Sequence, residues 1–164
     1  MTTKPESHDD VIDSRDVIAR LEELDAERQA LEDATDEARD AYDYHNSEDT
    51  EEGPEWEALQ EAIKAQVDWN ESAEADEWNA LKRLAAQCEH VSDWTHGETL
   101  INEDYFTKYI ENLIDDCYEM PKEMNSGNWP YRHMTMDYEA AAEEAKVDYE
   151  EVDFDGTTFF IRSV

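Results

Sequence analysis

The chain has 164 residues, the length of one domain or of a small domain with a helical extension. Its 46 Asp and Glu against 13 Lys and Arg give a formal net charge of −33, a field that repels nucleic acid phosphates and anionic membranes. With 39% apolar residues, including five Trp, eight Tyr and four Phe, it nevertheless has the composition of a folded protein and not of a disordered acidic tail. The acids are spread evenly: 17 against 5 bases in residues 1–50, 13 against 3 in 51–100, and 16 against 5 in 101–164. Four glycines and four prolines favour long helices over a many-stranded sandwich. No apolar run approaches the roughly 20 residues of a membrane span. Met1 to Asp10 lacks the apolar stretch of a signal peptide, so the expectation is a cytoplasmic protein with Cys88 and Cys117 as reduced thiols.

In chain order, residues 1–12 are polar and aperiodic and read as a disordered tail. Asp13 or Ser14 caps a helix that runs to about Tyr44, with Asp16 in its first turn. Its apolar positions follow a heptad, one column holding Val17, Leu24, Leu31 and Ala38, the other Leu21, Arg28, Thr35 and Tyr42. Arg28 and Thr35 interrupt the second column, which favours an antiparallel helical hairpin over a long parallel coiled coil. The face is longer than one short partner helix covers, so Val17, Leu21, Leu24, Leu31, Ala38 and Tyr42 are also the expected interface of a homodimer.

His45 to Pro54 reads as a loop, with Pro54 at the first turn of a second helix whose face carries Trp56, Leu59, Ile63 and Val67. A break near Trp69 to Ala73 precedes a third helix bearing Trp78, Leu81, Ala85, Cys88 and Val91. Ser92 to Gly97 is then the expected boundary between an acidic helical region, 13–92, and a compact module, 98–164.

In that module Thr99 to Ile101 is a short strand or extended lead-in, and Asn102 caps a helix with Phe106, Ile110, Leu113 and Cys117, ended by Pro121. Met124 to Met136 is a loop, and Asp137 caps a short helix over Tyr138 to Lys146. Tyr149–Phe154 and Thr157–Arg162, joined by Asp155-Gly156, predict a β-hairpin with a two-residue turn. The expected fold class is α+β, mostly α: an N-terminal long-helix hairpin or bundle followed by a small helix plus β-hairpin module.

Glu151, Asp153, Asp155 and Gly156 imitate the start of a calcium loop, but Arg162 stands where a bidentate Glu belongs and the hairpin accounts for the same residues. Cys88, His90, His96 and Cys117 have no recurrent zinc spacing. Glycine-rich phosphate loops, Gly-x-Ser-x-Gly and His-Glu-x-x-His are absent from the sequence, so no catalytic residues, metal or cofactor are expected. Trp56 and Trp78 lie at helical core spacing, whereas Trp94 and Trp129 fall in loops.

Carboxylates this dense repel one another, and their pattern suggests imitation of DNA. A helix from Ser14 to Tyr44 is about 46 Å long, similar to a dozen or so base pairs. Asp36 to Trp78 holds 16 acids against only Arg39 and Lys64, where an ordinary solvated helix face interleaves Lys and Arg. The expected partner-binding acids are Glu22, Asp25, Asp33, Asp36, Glu37, Asp40, Asp43, Glu51, Glu52, Glu55, Glu71, Glu74, Asp76 and Glu77. Their partner would be a DNA-binding host defence protein with a basic cleft. Alternative readings are an acidic chaperone or adaptor for a basic protein, a surface adapted to high salt, and an enzyme of unknown reaction that uses buried, pKa-shifted carboxylates.

The C-terminal third carries a further pattern: Asp104-Tyr105-Phe106-x-x-Tyr109, Pro121, Met136-Asp137-Tyr138-Glu139-Ala140-Ala141-Ala142, Asp148-Tyr149 and Asp155-Gly156-x-x-Phe159. It resembles the C-terminal region of ArdA-type antirestriction proteins, acidic DNA mimics of phages and mobile elements, over residues 101–164. The resemblance implies mimicry directed at a host restriction–modification complex, with no active site. An anti-CRISPR inhibitor of a guide-RNA complex would need the same surface chemistry.

Overall fold

The heptad stripe needs a covering surface, and the chain supplies it. A computed structural model describes residues 4–45 and 53–163. Helix α1 spans Ser14–His45, and α2 (Pro54–Asn70) and α3 (Ala73–Cys88) together return along it. Pro54 sits in the first turn of α2, where its missing N–H costs nothing. Ser72 makes the break between α2 and α3: its hydroxyl donates to the Trp69 carbonyl (2.7 Å) and accepts from the Ala75 N–H (3.3 Å).

Val17 and Leu24 are fully buried against Leu81, Leu84 and Cys88, while Leu21, Leu31, Ala38 and Tyr42 are half-buried. The Tyr42 ring lies 5.4 Å from that of Trp56, fixing the C-terminal end of α1 beside the start of α2. The two polar residues of the seam have local partners. Thr35 is buried with its hydroxyl donating to the Leu31 carbonyl at 2.8 Å, and the Arg28 guanidinium pairs with Glu32 and lies 5.2 Å from the Trp78 ring centre. The residues expected at a homodimer interface are therefore packed within one chain, which removes the reason for a dimer through that seam.

The hairpin forms as expected: β3 (Tyr149–Phe154) pairs with β4 (Thr157–Arg162). Asp155 and Gly156 both have positive φ (51° and 82°), the pair of conformations a two-residue turn between twisted strands requires. The hairpin belongs to a four-stranded antiparallel sheet, in the order β1-β2-β4-β3, with β1 at Val11–Asp13 and β2 at Thr99–Asn102.

Period-two alternation sorts the apolar residues of the sheet onto two faces. Ile12, Leu100, Val152, Phe154, Phe159 and Ile161 join the core with α1 and α3, to which the short helix α4 (Trp94–Gly97) adds the buried Trp94. Ile101 and Phe160 face the other way, against Phe106 and Ile110 of α5 (Glu103–Cys117) and Ala142 of α6 (Tyr138–Ala145). Asn102 and Asp137 cap these two helices, accepting from the N–H groups of Asp104 and Ala140. The sheet is thus a middle layer between two helical layers.

Two expectations about the chain's organisation change. The described part of segment 1–12 is not a free tail: Val11 and Ile12 open β1, Pro5 is buried, and the Asn102 N–H donates to the Asp10 carbonyl at 2.9 Å. Ser92–Gly97 is also not a division of the core. The Ser14 N–H donates to the Glu98 carbonyl (2.9 Å) and the Glu98 N–H donates to the buried Ser14 hydroxyl (2.7 Å), joining α1 to the approach of β2. Residues from both sides of the expected boundary share one core.

The edge strand β3 is covered by a side chain. The Gln87 amide donates to the Asp153 carbonyl and its oxygen accepts the Asp153 N–H, each at 2.9 Å, which occupies backbone groups another strand could bind.

Glu77 anchors the N-terminal segment. Its carboxylate accepts two bonds from Arg20 (2.9 and 3.1 Å) and pairs with Lys4 at 3.1 Å, with 12% of its side chain exposed. The Arg20 guanidinium, aided by Lys4, holds the carboxyl below its ordinary range despite the opposing effect of burial. Since the unfolded chain takes up this proton at higher pH than the folded one, the pair's stabilisation is complete above the ordinary carboxylate pKa and is lost as pH falls through the lowered folded value. Glu77→Gln is expected to cost about 1.5–3 kcal/mol at about pH 7 and clearly less at about pH 3. Urea titrations of both proteins at the two pH values check it.

Candidate functional site

The seam of α1 fixes which of its residues face outward. With Leu21, Leu24, Arg28, Leu31, Thr35, Ala38 and Tyr42 turned inward, the positions opposite are held by Asp33, Asp36, Glu37, Asp40 and Asp43, all exposed. Successive members are one or three residues apart and alternate ones such as Asp33 and Glu37 are four apart, and those at three or four place their Cβ atoms about 5–6 Å apart. These five carboxylates occupy about 15 Å of helix axis, close to the one phosphate per about 3.4 Å of a single DNA strand. Arg39 is the one cation between residues 33 and 43, and it pairs with Asp36 at 3.3 Å.

The ridge also runs against the preference of its own helix. The C-terminal end of a helix carries partial negative charge and favours Lys or Arg, yet Asp40 and Asp43 lie in the last two turns of α1. An acid placed only to solvate a helix sits better at the other end.

The other expected binding acids divide into groups. Glu22 and Asp25 are exposed on the N-terminal half of α1, where Asp25 accepts the Trp78 indole N–H at 2.8 Å. Glu55 is half-buried in the first turn of α2, at the same end of the molecule as Asp43 by virtue of the Tyr42–Trp56 contact. Glu71, Glu74 and Asp76 are exposed around the α2–α3 joint. Glu51 and Glu52 lie outside the described residues. Glu77 is a correction: it is withdrawn from the surface to hold Arg20 of α1 and Lys4 of the N-terminal segment, both far away in sequence. Glu57 and Glu61 on α2, one turn apart and exposed, were not among the expected acids although the same helical spacing marks them.

The chemistry set aside by sequence is also placed. Cys88 is in the core beneath α1, where burial first and the Glu150 charge second push its thiol up to about 12, so it stays protonated. Cys117 is exposed at the end of α5, in the layer on the other side of the sheet, so the four Cys and His residues considered for zinc are not gathered. Among the described residues the one clustering of metal-type ligands is Glu6, His8 and Asp9, at the surface. The Arg15 guanidinium holds Asp13 below the usual carboxylate range, as Arg20 does Glu77, the opposite of what a general acid needs. Trp94 is buried, and Trp129 is 74% exposed. No described helix is long and apolar enough to cross a membrane.

Fold and surface together define an acidic three-layer α+β protein with a charged helical ridge. No protein-family model, curated protein or solved structure matches the chain. The residues that carry the resemblance to ArdA-type proteins occupy structural positions: Phe106 and Phe159 are core, Tyr105, Tyr109, Ala141 and Tyr149 pack on it, and Asp137 is a helix cap.

Proposed function

We propose that the protein is a DNA mimic that occupies the DNA-binding cleft of a host defence nuclease, with a restriction–modification complex as the target. The observation that carries this reading is the exposed ridge Asp33–Asp43, with the charge spacing of one nucleic acid strand and one cation in its length. Rigidity supports it too. The ridge is built on a helix whose opposite face holds the buried Thr35 and the half-buried Leu31, Ala38 and Tyr42, so its charges enter a basic cleft already arranged and little ordering entropy opposes binding. The resemblance of residues 101–164 points to the same class of target.

The test is competition. Labelled duplex DNA bound to purified restriction–modification complexes is titrated with the protein, and guide-RNA complexes run in parallel cover the anti-CRISPR form of the same mimicry. Displacement is expected, and it should weaken steeply between about 0.05 and 0.2 M salt because the cleft exchanges counterions for carboxylates. Failure to displace DNA from any complex at the lower salt overturns the reading. Displacement that is flat with salt overturns its electrostatic basis.

A further inference from the structure

On the side of the sheet away from α1, the surface has a different character. Helices α5 and α6 leave a trough of about 540 Å³ between them, lined by Leu113, Ile114, Tyr118, Met120, Met136 and Val147. Several of these apolar side chains are open to water, Val147 at 79% and Tyr118 at 67%. The Tyr138 hydroxyl ties α6 to α5 by donating to Asp115 at 3.0 Å.

An apolar trough between two helices matches the apolar face of a third helix. Two methionines in the lining let it adapt to different anchors. The charge around it selects the occupant. Glu144 and Asp148 line the trough, and the chain forming one wall carries exposed Asp116 and Glu119. Of the nearby cations, Lys146 pairs with Glu143 at 2.6 Å and Lys108 with Glu111 at 2.9 Å, while Arg162 lines the adjoining cavity beside Tyr118 and Asp148. A second copy of a chain with net charge −33 would bring the same carboxylates against these. We propose that the trough between α5 and α6 is a docking site for a cationic amphipathic helix of a partner protein. This surface lies across the sheet from the ridge and does not depend on the mimicry reading.

The probe is a fluorescent amphipathic peptide of about 14 Lys and Leu residues, about 21 Å as a helix, compared with a peptide of the same composition whose leucines are scrambled out of helical register. Fluorescence anisotropy at about 0.15 M salt is expected to show the amphipathic peptide binding at least about tenfold more tightly. The variants Val147→Asp and Tyr118→Asp decide what holds it. Both positions are exposed, so the fold is retained, which circular dichroism checks. Each variant makes the surface more negative. Binding by bulk charge should strengthen, whereas docking in the trough should weaken by at least about tenfold. Equal affinity for the two peptides, or tighter binding by the variants, overturns the proposal. So does sedimentation showing a dimer that Val147→Asp dissociates, since a second copy would then be the occupant. Neutralising Asp36, Glu37, Asp40 and Asp43 is expected to leave the preference between the peptides unchanged, so failure of one surface is distinguishable from failure of the other.

Discussion

Leu24→Ala is expected to destabilise the protein by about 2–5 kcal/mol, and by the same amount at every protein concentration. Leu24 is fully buried where α1 meets α3 and the sheet, so truncation opens a cavity that two helices and a strand layer cannot easily close. A loss of that size is a large part of the 5–15 kcal/mol that ordinarily separates folded from unfolded chains. The independence from concentration follows from the seam's partners being α2 and α3 of the same chain. Urea unfolding of wild type and variant at two concentrations about tenfold apart measures both quantities. A midpoint that rises with concentration would return the seam to a homodimer.

Replacing Asp36, Glu37, Asp40 and Asp43 with Asn or Gln is expected to weaken binding to the target by about tenfold to a few hundredfold. Each exposed carboxylate contributes little alone, and the set acts together. Stability should hold or rise slightly, since neighbouring like charges three and four residues apart are relieved and two acids leave the negative end of the helix dipole. The control is an equal charge change at Glu89, Asp93, Glu103 and Glu151, exposed residues away from the ridge and the trough. Equal losses from both sets would mean that total charge alone matters, and no loss from either would end the mimicry reading.

What the sequence made legible was local. Pro54, Asn102 and Asp137 mark helix starts, and Asp155-Gly156 marks the hairpin, because each acts through backbone groups within a few residues. The heptad columns identified the buried stripe of α1 correctly, and so also the outward positions of the ridge. They could not say what covers the stripe, since α2 and α3 supply that surface as two helices bent at Ser72. Strand β1 went unseen because three residues carry no periodicity and their partner is β2, far along the chain. Glu77 looked like any other acid because Arg20, which claims it, is 57 residues away. The trough escaped for the same reason: Leu113, Tyr118, Met136 and Val147 come from separate segments, and none belongs to an apolar run.

The sheet order has a consequence for how the molecule comes together. Strand β2 lies between β1, near residue 12, and β4, near residue 160, so its two neighbours are separated by most of the chain. Helices α1 to α3 can associate through contacts between consecutive elements as soon as they exist. The middle layer must wait for the last hairpin, and closing such long loops is the slow part of a folding reaction. During synthesis, at about 5–20 residues per second, the apolar side of α1 and α3 therefore stays uncovered for seconds. In that interval the mutual repulsion of the carboxylates on these helices keeps nascent chains apart, a service the charge performs before any partner is met.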